Sequence, residues 1–278
     1  MNYRHVYHAG NFADVIKHAI LALIIEYLKR KETPLMVLDA HAGLGVYDLS
    51  SIQAQKTGEW QGGIGRLWNQ DIPESLTPWM NVVRSFNPGG EVSVYPGSPK
   101  LVQWLMRSED RLVLVEKHPD DHDTLAQEFR RDARVHVHLA DAYAQLKASV
   151  PPPERRGLVL IDPPYEEKDE YQKLLRGLSN ALKRWPTGIY CIWYPIKARA
   201  QIDGFLDGLK HLPLPPTLVT ELMLRGGDDP FRLNGCGLVI LNPPWILEDA
   251  LKQMLPFLVQ TLTDGNGGFR VEWLVSAA

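Results

Sequence analysis

Apolar positions along the chain follow two rhythms. Short continuous apolar runs at residues 34–39, 111–115, 157–161, 189–195 and 237–241, bounded by Gly, Pro or acidic residues, read as buried strands. Residues 135–140 alternate instead. Between these runs lie stretches of helical spacing. The first spans about residues 13–30 and sets Val15, Ile16, Ile20, Leu23, Ile24 and Leu28 on one face. Strand and helix in alternation predict a mostly parallel α/β sheet with helices on both faces and ligands at the carboxyl ends of the strands. The first two strands are too far apart for a single connecting helix. Residues 46–90 therefore predict a small inserted helical subdomain, with 1–45 and 91–278 forming the main domain. Trp68 and Trp79 fall on helical patterns there, either covering the mouth of a site or simply packing. Pro151-Pro152-Pro153 reads as a rigid connector.

The chemistry gathers where the strands stop. Residues 157–161 end in Asp162-Pro163-Pro164-Tyr165. Neither proline can donate a ladder hydrogen bond, so the strand must end there. The Asp162 carboxylate and the Pro163 carbonyl can then converge beside the Tyr165 ring. Two acceptors next to a stacking face suit a flat heterocycle with an exocyclic amino group, as in adenine or cytosine. The plainer reading is a strand-ending turn with a capping Asp. Upstream, the first strand runs into Asp39-Ala40-His41-Ala42-Gly43-Leu44-Gly45, a small-residue turn that lets a ligand approach the backbone. A dinucleotide fingerprint would need a third Gly at Asp48, so the nicotinamide or flavin reading is weak. Glu116 ends the second core strand, where a carboxylate can accept two ribose hydroxyls, and Asp141 ends the third, suited to an adenine amino group. Each acidic residue alone could be an N-cap. Caps do not explain the Gly turn or the Pro-Pro-Tyr.

Together with the opening Tyr3-Arg4-His5-Val6-Tyr7-His8-Ala9-Gly10-Asn11-Phe12-Ala13-Asp14-Val15-Ile16-Lys17-His18 and with Tyr95-Pro96-Gly97-Ser98-Pro99, these motifs resemble the ribosomal RNA large subunit methyltransferase J family over essentially the whole chain. The resemblance implies a Rossmann-like class I S-adenosylmethionine-dependent methyltransferase. Its expected reaction is methylation of the N6 amino group of an adenine in 23S ribosomal RNA that is protein-free or in early assembly. It implies cofactor contacts from His18, His41, Gly43, Ser98, Glu116, Asp141, Ala142 and Asp162. Catalysis would fall to Asp162 as proton acceptor with Pro163 and Tyr165, and RNA contacts to Tyr3, Arg4 and His5. Ala142 stands where the family pattern has glycine, a change that leaves a backbone N–H contact intact.

Composition adjusts this picture only in places. The chain is 45% hydrophobic and 23% charged over 278 residues, an ordinary globular composition. Cys191 and Cys236 lie in apolar runs and read as core residues. No run is long enough to cross a bilayer, so a cytoplasmic protein with no membrane partner is expected, and a monomer. The net charge of −3 argues against strong phosphate binding. Local clusters at residues 29–31, 130–131, 155–156 and 183–184, with Lys197 and Arg199, are candidates to offset it; the last two follow the strand after the catalytic one. His5, His8 and His18 lack the spacing of a metal site, and no metal is expected. Asn242-Pro243-Pro244-Trp245 mimics the catalytic motif, but its late place in the strand order should point it away from the cofactor. The loop at residues 226–232 is a substrate contact or an ordinary surface connection. Two other functions remain: a DNA adenine or cytosine amino-methyltransferase, and a non-catalytic nucleic-acid-binding protein linked to use of external DNA.

Overall fold

The computed structural model describes residues 4–226 and 229–276. Its strands in chain order are β1 (Met36–Asp39), β2 (Val46–Asp48), β3 (Val94–Pro96), β4 (Arg111–Glu116), β5 (Val135–Leu139), β6 (Gly157–Ile161), β7 (Ile189–Ile196), β8 (Thr217–Met223), β9 (Gly235–Leu241) and β10 (Gly268–Val275). Among the described residues, eight of them form one sheet in the order β5-β4-β1-β6-β7-β9-β8-β10, and β2 pairs with β3 in a separate ribbon. The run from β5 to β7 is parallel throughout, while β9 lies antiparallel to both β7 and β8, and β10 antiparallel to β8.

Parallel strands covered on both faces are apolar at every position, yet the side chains still alternate between faces. Val37, Leu112, Leu114, Leu158 and Leu160 join one core; Leu38, Val113, Val115, Val159 and Ile161 join the other. The first core is covered by α1 (Phe12–Lys29), α4 (Thr77–Ser85), α5 (Ser98–Leu105), α6 (Pro119–Phe129) and α10 (Leu247–Leu262). The second is covered by α7 (Ala142–Ser149), α8 (Glu170–Arg184) and α9 (Arg199–Lys210). Asn11 starts α1 as its N-cap, its side chain accepting from the N–H groups of Ala13 and Asp14.

Residues 46–90 hold β2, α2 (Ile52–Thr57), α3 (Ile64–Leu67) and α4. Ile64, Leu67, Leu76, Trp79 and Met80 are buried in the same core as α1. Trp79 is a packing residue, and Trp68 is half-buried with its Nε1 donating to the Gly90 carbonyl at 2.9 Å. No helix among the described residues is long and apolar enough to cross a membrane. Cys191 and Cys236 are both buried free thiols.

The close pairing of β1 with β6 depends on one glycine. Gly157 sits opposite Met36 with φ of +155°, and a Cβ there would lie 1.9 Å from the Met36 carbonyl oxygen. That neighbour is backbone and cannot step aside. Gly157→Ala is expected to cost ~2 kcal/mol or more. Gly89→Ala, with nothing within 4 Å, is expected to stay within about 0.5 kcal/mol of the parent. Thermal melts of the two variants side by side measure the difference.

Candidate active site

Because β1 and β6 are parallel neighbours, the turn after one and the tetrapeptide after the other emerge at the same pole. A direct bond joins them: the Asp162 N–H donates to His41 Nδ1 at 3.2 Å. Beside this link opens a cavity of about 460 Å³, within the range of small-molecule sites. His5, His18, His41, Gly43, Ser98, Glu116, Asp141, Ala142, Asp162, Pro163 and Tyr165 all line it. Arg4 does not; its guanidinium pairs with Asp121 at 2.8 Å, so the expected RNA contact is engaged in an ion pair on the N-terminal face. Tyr3 lies outside the described residues.

One end of the cavity is built by the glycine turn. Gly43 and Gly45 adopt φ of +62° and +84°, where a side chain would be strained. The turn brings the Gly43 N–H to Glu116 Oε2 at 3.0 Å, while the His118 N–H holds Oε1 at 2.8 Å. The carboxylate is thus fixed in orientation with lone pairs left for a ligand. Asp39 is fully buried, and its Oδ1 accepts the His41 N–H at 3.2 Å. Burial pushes its pKa up to about 6. Asp141 serves as N-cap of α7, accepting from the N–H groups of Tyr143 and Ala144 at 3.1 and 3.0 Å, and lines the cavity as well.

The other end holds a charge cluster that the sequence did not reveal. Lys17, on α1 and 4% exposed, places Nζ 2.5 Å from Asp162 Oδ2 and 2.7 Å from Asp14 Oδ1. Asp14 Oδ2 in turn meets His5 Nε2 and the Gly10 N–H, each at 2.9 Å. Burial alone would lower the Lys17 pKa, but the two carboxylates outweigh it and hold the ammonium well above its ordinary value. Burial likewise works against Asp14, yet His5, Lys17 and His18 keep its carboxyl well below the usual range. Tyr165 has φ of +51°, uncommon for a residue with a side chain. Its surroundings enforce it: the hydroxyl donates to the Trp193 carbonyl at 2.6 Å, and the ring packs 4.7 Å from Tyr171 and 5.9 Å from Trp193.

Other sequence features land elsewhere. β9 runs against β7, so Leu241 pairs with Tyr190 near the start of β7, at the opposite pole from Asp162. Asn242 there donates to the carbonyls of Pro186 and Gly188, both at 2.8 Å, and Trp245 is exposed. Arg199 does not face a substrate; it grips Glu221 at 2.8–3.0 Å. Lys197 does line the cavity. Arg156 is committed to the Thr33 and Leu28 carbonyls, and Arg184 to that of Val150. His5, His8 and His18 bond to Asp14, Glu59 and the Tyr95 hydroxyl respectively. Among the described residues, no group of three or more His, Cys, Asp or Glu side chains is arranged to hold a metal ion.

Two of the cavity histidines give a pH signature. Burial lowers His41 to about 4 and His18 to about 3, from an ordinary 6.5. Neutral His41 is what allows Nδ1 to accept from Asp162. The unfolded chain takes up these protons near pH 6.5 and the native state only below about 4. The stability they provide is therefore complete above pH ~6.5 and is lost as pH falls. Melting temperature is expected to drop between pH 6.5 and 4.5, and His41→Asn, which keeps an acceptor near the Nδ1 position, should flatten that decline.

Comparison with known proteins agrees with this architecture. Residues 32–275 match the family described as ribosomal RNA large subunit methyltransferase D, RlmJ. The chain is 44% identical to ribosomal RNA large subunit methyltransferase J of Escherichia coli (strain K12) over 277 residues, 99% of either chain. It is equally similar to the Haemophilus influenzae protein of the same name, with the same coverage. A crystal structure of a Legionella pneumophila protein is 35% identical, covers 95% of this chain and 98% of its own, and superposes with a TM-score of 0.89. The mostly parallel sheet with helices on both faces is the architecture expected, and the chain belongs to the ribosomal RNA large subunit methyltransferase family that these relatives represent.

Proposed function

We propose that the protein methylates the N6 amino group of an adenine in 23S ribosomal RNA, using S-adenosylmethionine, on RNA that is protein-free or in early assembly. The observation that carries this reading is that Asp162 and Pro163 line one cavity together with Gly43 of the glycine turn and the fixed Glu116 carboxylate. The donor set suits the cofactor. Glu116 offers paired lone pairs to a ribose diol, Asp141 a carboxylate to an adenine amino group, and the Gly43 turn close backbone approach. Ser98, His18, His41 and Ala142 complete the walls. S-adenosylmethionine bound there would supply an electrophilic methyl group on a sulfonium.

The chain's own residues handle the acceptor. An exocyclic amino nitrogen is a poor nucleophile because its lone pair is delocalised into the ring. Accepting its two N–H bonds at the Asp162 carboxylate and the Pro163 carbonyl favours localisation of that lone pair, and the Tyr165 ring fixes the base plane. Orientation then carries most of the rate. Lys17 donates to Asp162 Oδ2, leaving Oδ1 for the substrate proton, which passes to Asp162 or to water. His5 faces the RNA side, held by Asp14. A paired adenine cannot reach this wall, so the target is a splayed or single-stranded nucleotide. The proposed setting is a monomer working in the cytoplasm on newly made RNA.

Asp162→Ala is expected to lower methyl transfer at least ~100-fold while melting like the parent, because Asp14 still neutralises Lys17. Incorporation of tritiated methyl into protein-free 23S RNA, with duplex DNA in parallel, measures both points. Near-normal turnover in the variant would remove Asp162 from the chemistry. Labelling of the DNA in preference to the RNA would transfer the protein to the DNA amino-methyltransferases.

A further inference from the structure

The loop between β8 and β9 takes no part in the chemistry above, yet it reaches the same cavity. Phe231 lines the rim and is 94% exposed. A ring so fully in solvent is not a wall for a base buried against Asp162; it stands outside, at the entrance. The loop is anchored. Asn234 is 1% exposed, and its Nδ2 donates to the carbonyls of Lys197 at 2.7 Å and Asp229 at 2.8 Å, while its own N–H donates to that of Ile196 at 2.9 Å. The Phe231 N–H donates to Asp229 Oδ1 at 2.9 Å. The same anchor fixes Lys197 on the rim, and Arg232, two-thirds exposed, follows the ring with one weak ion pair to Asp229 at 3.6 Å.

A bare aromatic side chain thus shares the cavity rim with Lys197, and Arg232 follows it in the chain. Moving an adenine onto the Asp162 wall strips its neighbour of a stacking partner, and an aromatic side chain can replace that partner for any base. The geometry points to Phe231 as the stacking platform for the nucleotide adjacent to the methylated adenosine, with Lys197 and Arg232 meeting the flanking phosphates. This rests on the RNA methyltransferase reading and adds a second nucleotide position to it. A single platform with two cations needs no strongly basic surface, which fits a chain of net charge −3.

A double-mutant cycle tests the pairing. The substrate is a short RNA fragment of 23S RNA around the adenosine that the parent enzyme methylates, intact or made abasic at the nucleotide on either side. Phe231→Ala is expected to lower kcat/KM on intact RNA ~10-fold, mainly through KM, the scale of one base–aromatic stack. Calorimetric binding of S-adenosylhomocysteine should be unchanged, and Phe231→Trp should retain activity. One of the two abasic fragments should cost the parent enzyme a similar ~10-fold and cost Phe231→Ala nothing further. Losses that multiply at both neighbours, or Phe231→Ala equal to the parent on intact RNA, would overturn the assignment. Parent turnover on the intact fragment scores the RNA reading separately. Fluorescence anisotropy of fragment binding scores Phe231 even where turnover is absent.

Discussion

The pairing of β1 with β6 is the constraint on which the site depends. Parallel register sends the turn after Asp39 and the tetrapeptide after Ile161 to one pole, and the Asp162 N–H to His41 bond ties the two ends. The placing of the glycine turn beside the Asp162 tetrapeptide is then set by backbone geometry. This arrangement demands a neutral imidazole at the cavity wall and a glycine at position 157, so a backbone position remote from the cavity lining also controls its placement.

The second organising feature is α1. Its apolar positions Val15, Ile16, Ile20 and Ile24 seal one face of the sheet, while Asn11, Asp14, Lys17 and His18 extend from the same rod toward the cavity. A buried ammonium shared between two carboxylates is tolerable only when geometry is tight, and the rigid helix supplies that. Asp14 links the cluster onward to His5 and Gly10, so the N-terminal segment and the Asp162 carboxylate belong to one hydrogen-bonded system.

Much of this was legible in the sequence, for identifiable reasons. Central strands apolar on both faces stand out as continuous runs, and the glycine turn, Glu116, Asp141 and the Pro-Pro step mark their ends. Boundaries shifted where side chains decide them: Asn11 capping moves the start of α1 to Phe12. β8 and β10 left weaker signals, since β10 is a half-exposed edge strand whose register is set by a partner far off in sequence. Lys17 was hidden because its partner Asp162 is 145 residues away; the only local hint was an i, i+3 pair of opposite charges amid apolar neighbours. Arg199 read as a candidate basic residue beside the catalytic strand, and its pairing with Glu221 left no sequence signal because the partner lies 22 residues away. Asn242-Pro243-Pro244-Trp245 shows that a motif's meaning rests on strand direction, which composition does not encode.

The reversal of direction at β9 has one more effect. It makes the segment bearing Phe231 a hairpin tip rather than a strand-to-helix crossover. Hairpin tips accept changes of length and residue without disturbing helices packed on the sheet. The cavity walls proposed to hold the methyl donor are locked into crossovers, whereas the rim proposed to meet the polynucleotide hangs from an adjustable lip. Selection can therefore retarget such an enzyme to a different nucleotide setting while leaving donor recognition untouched.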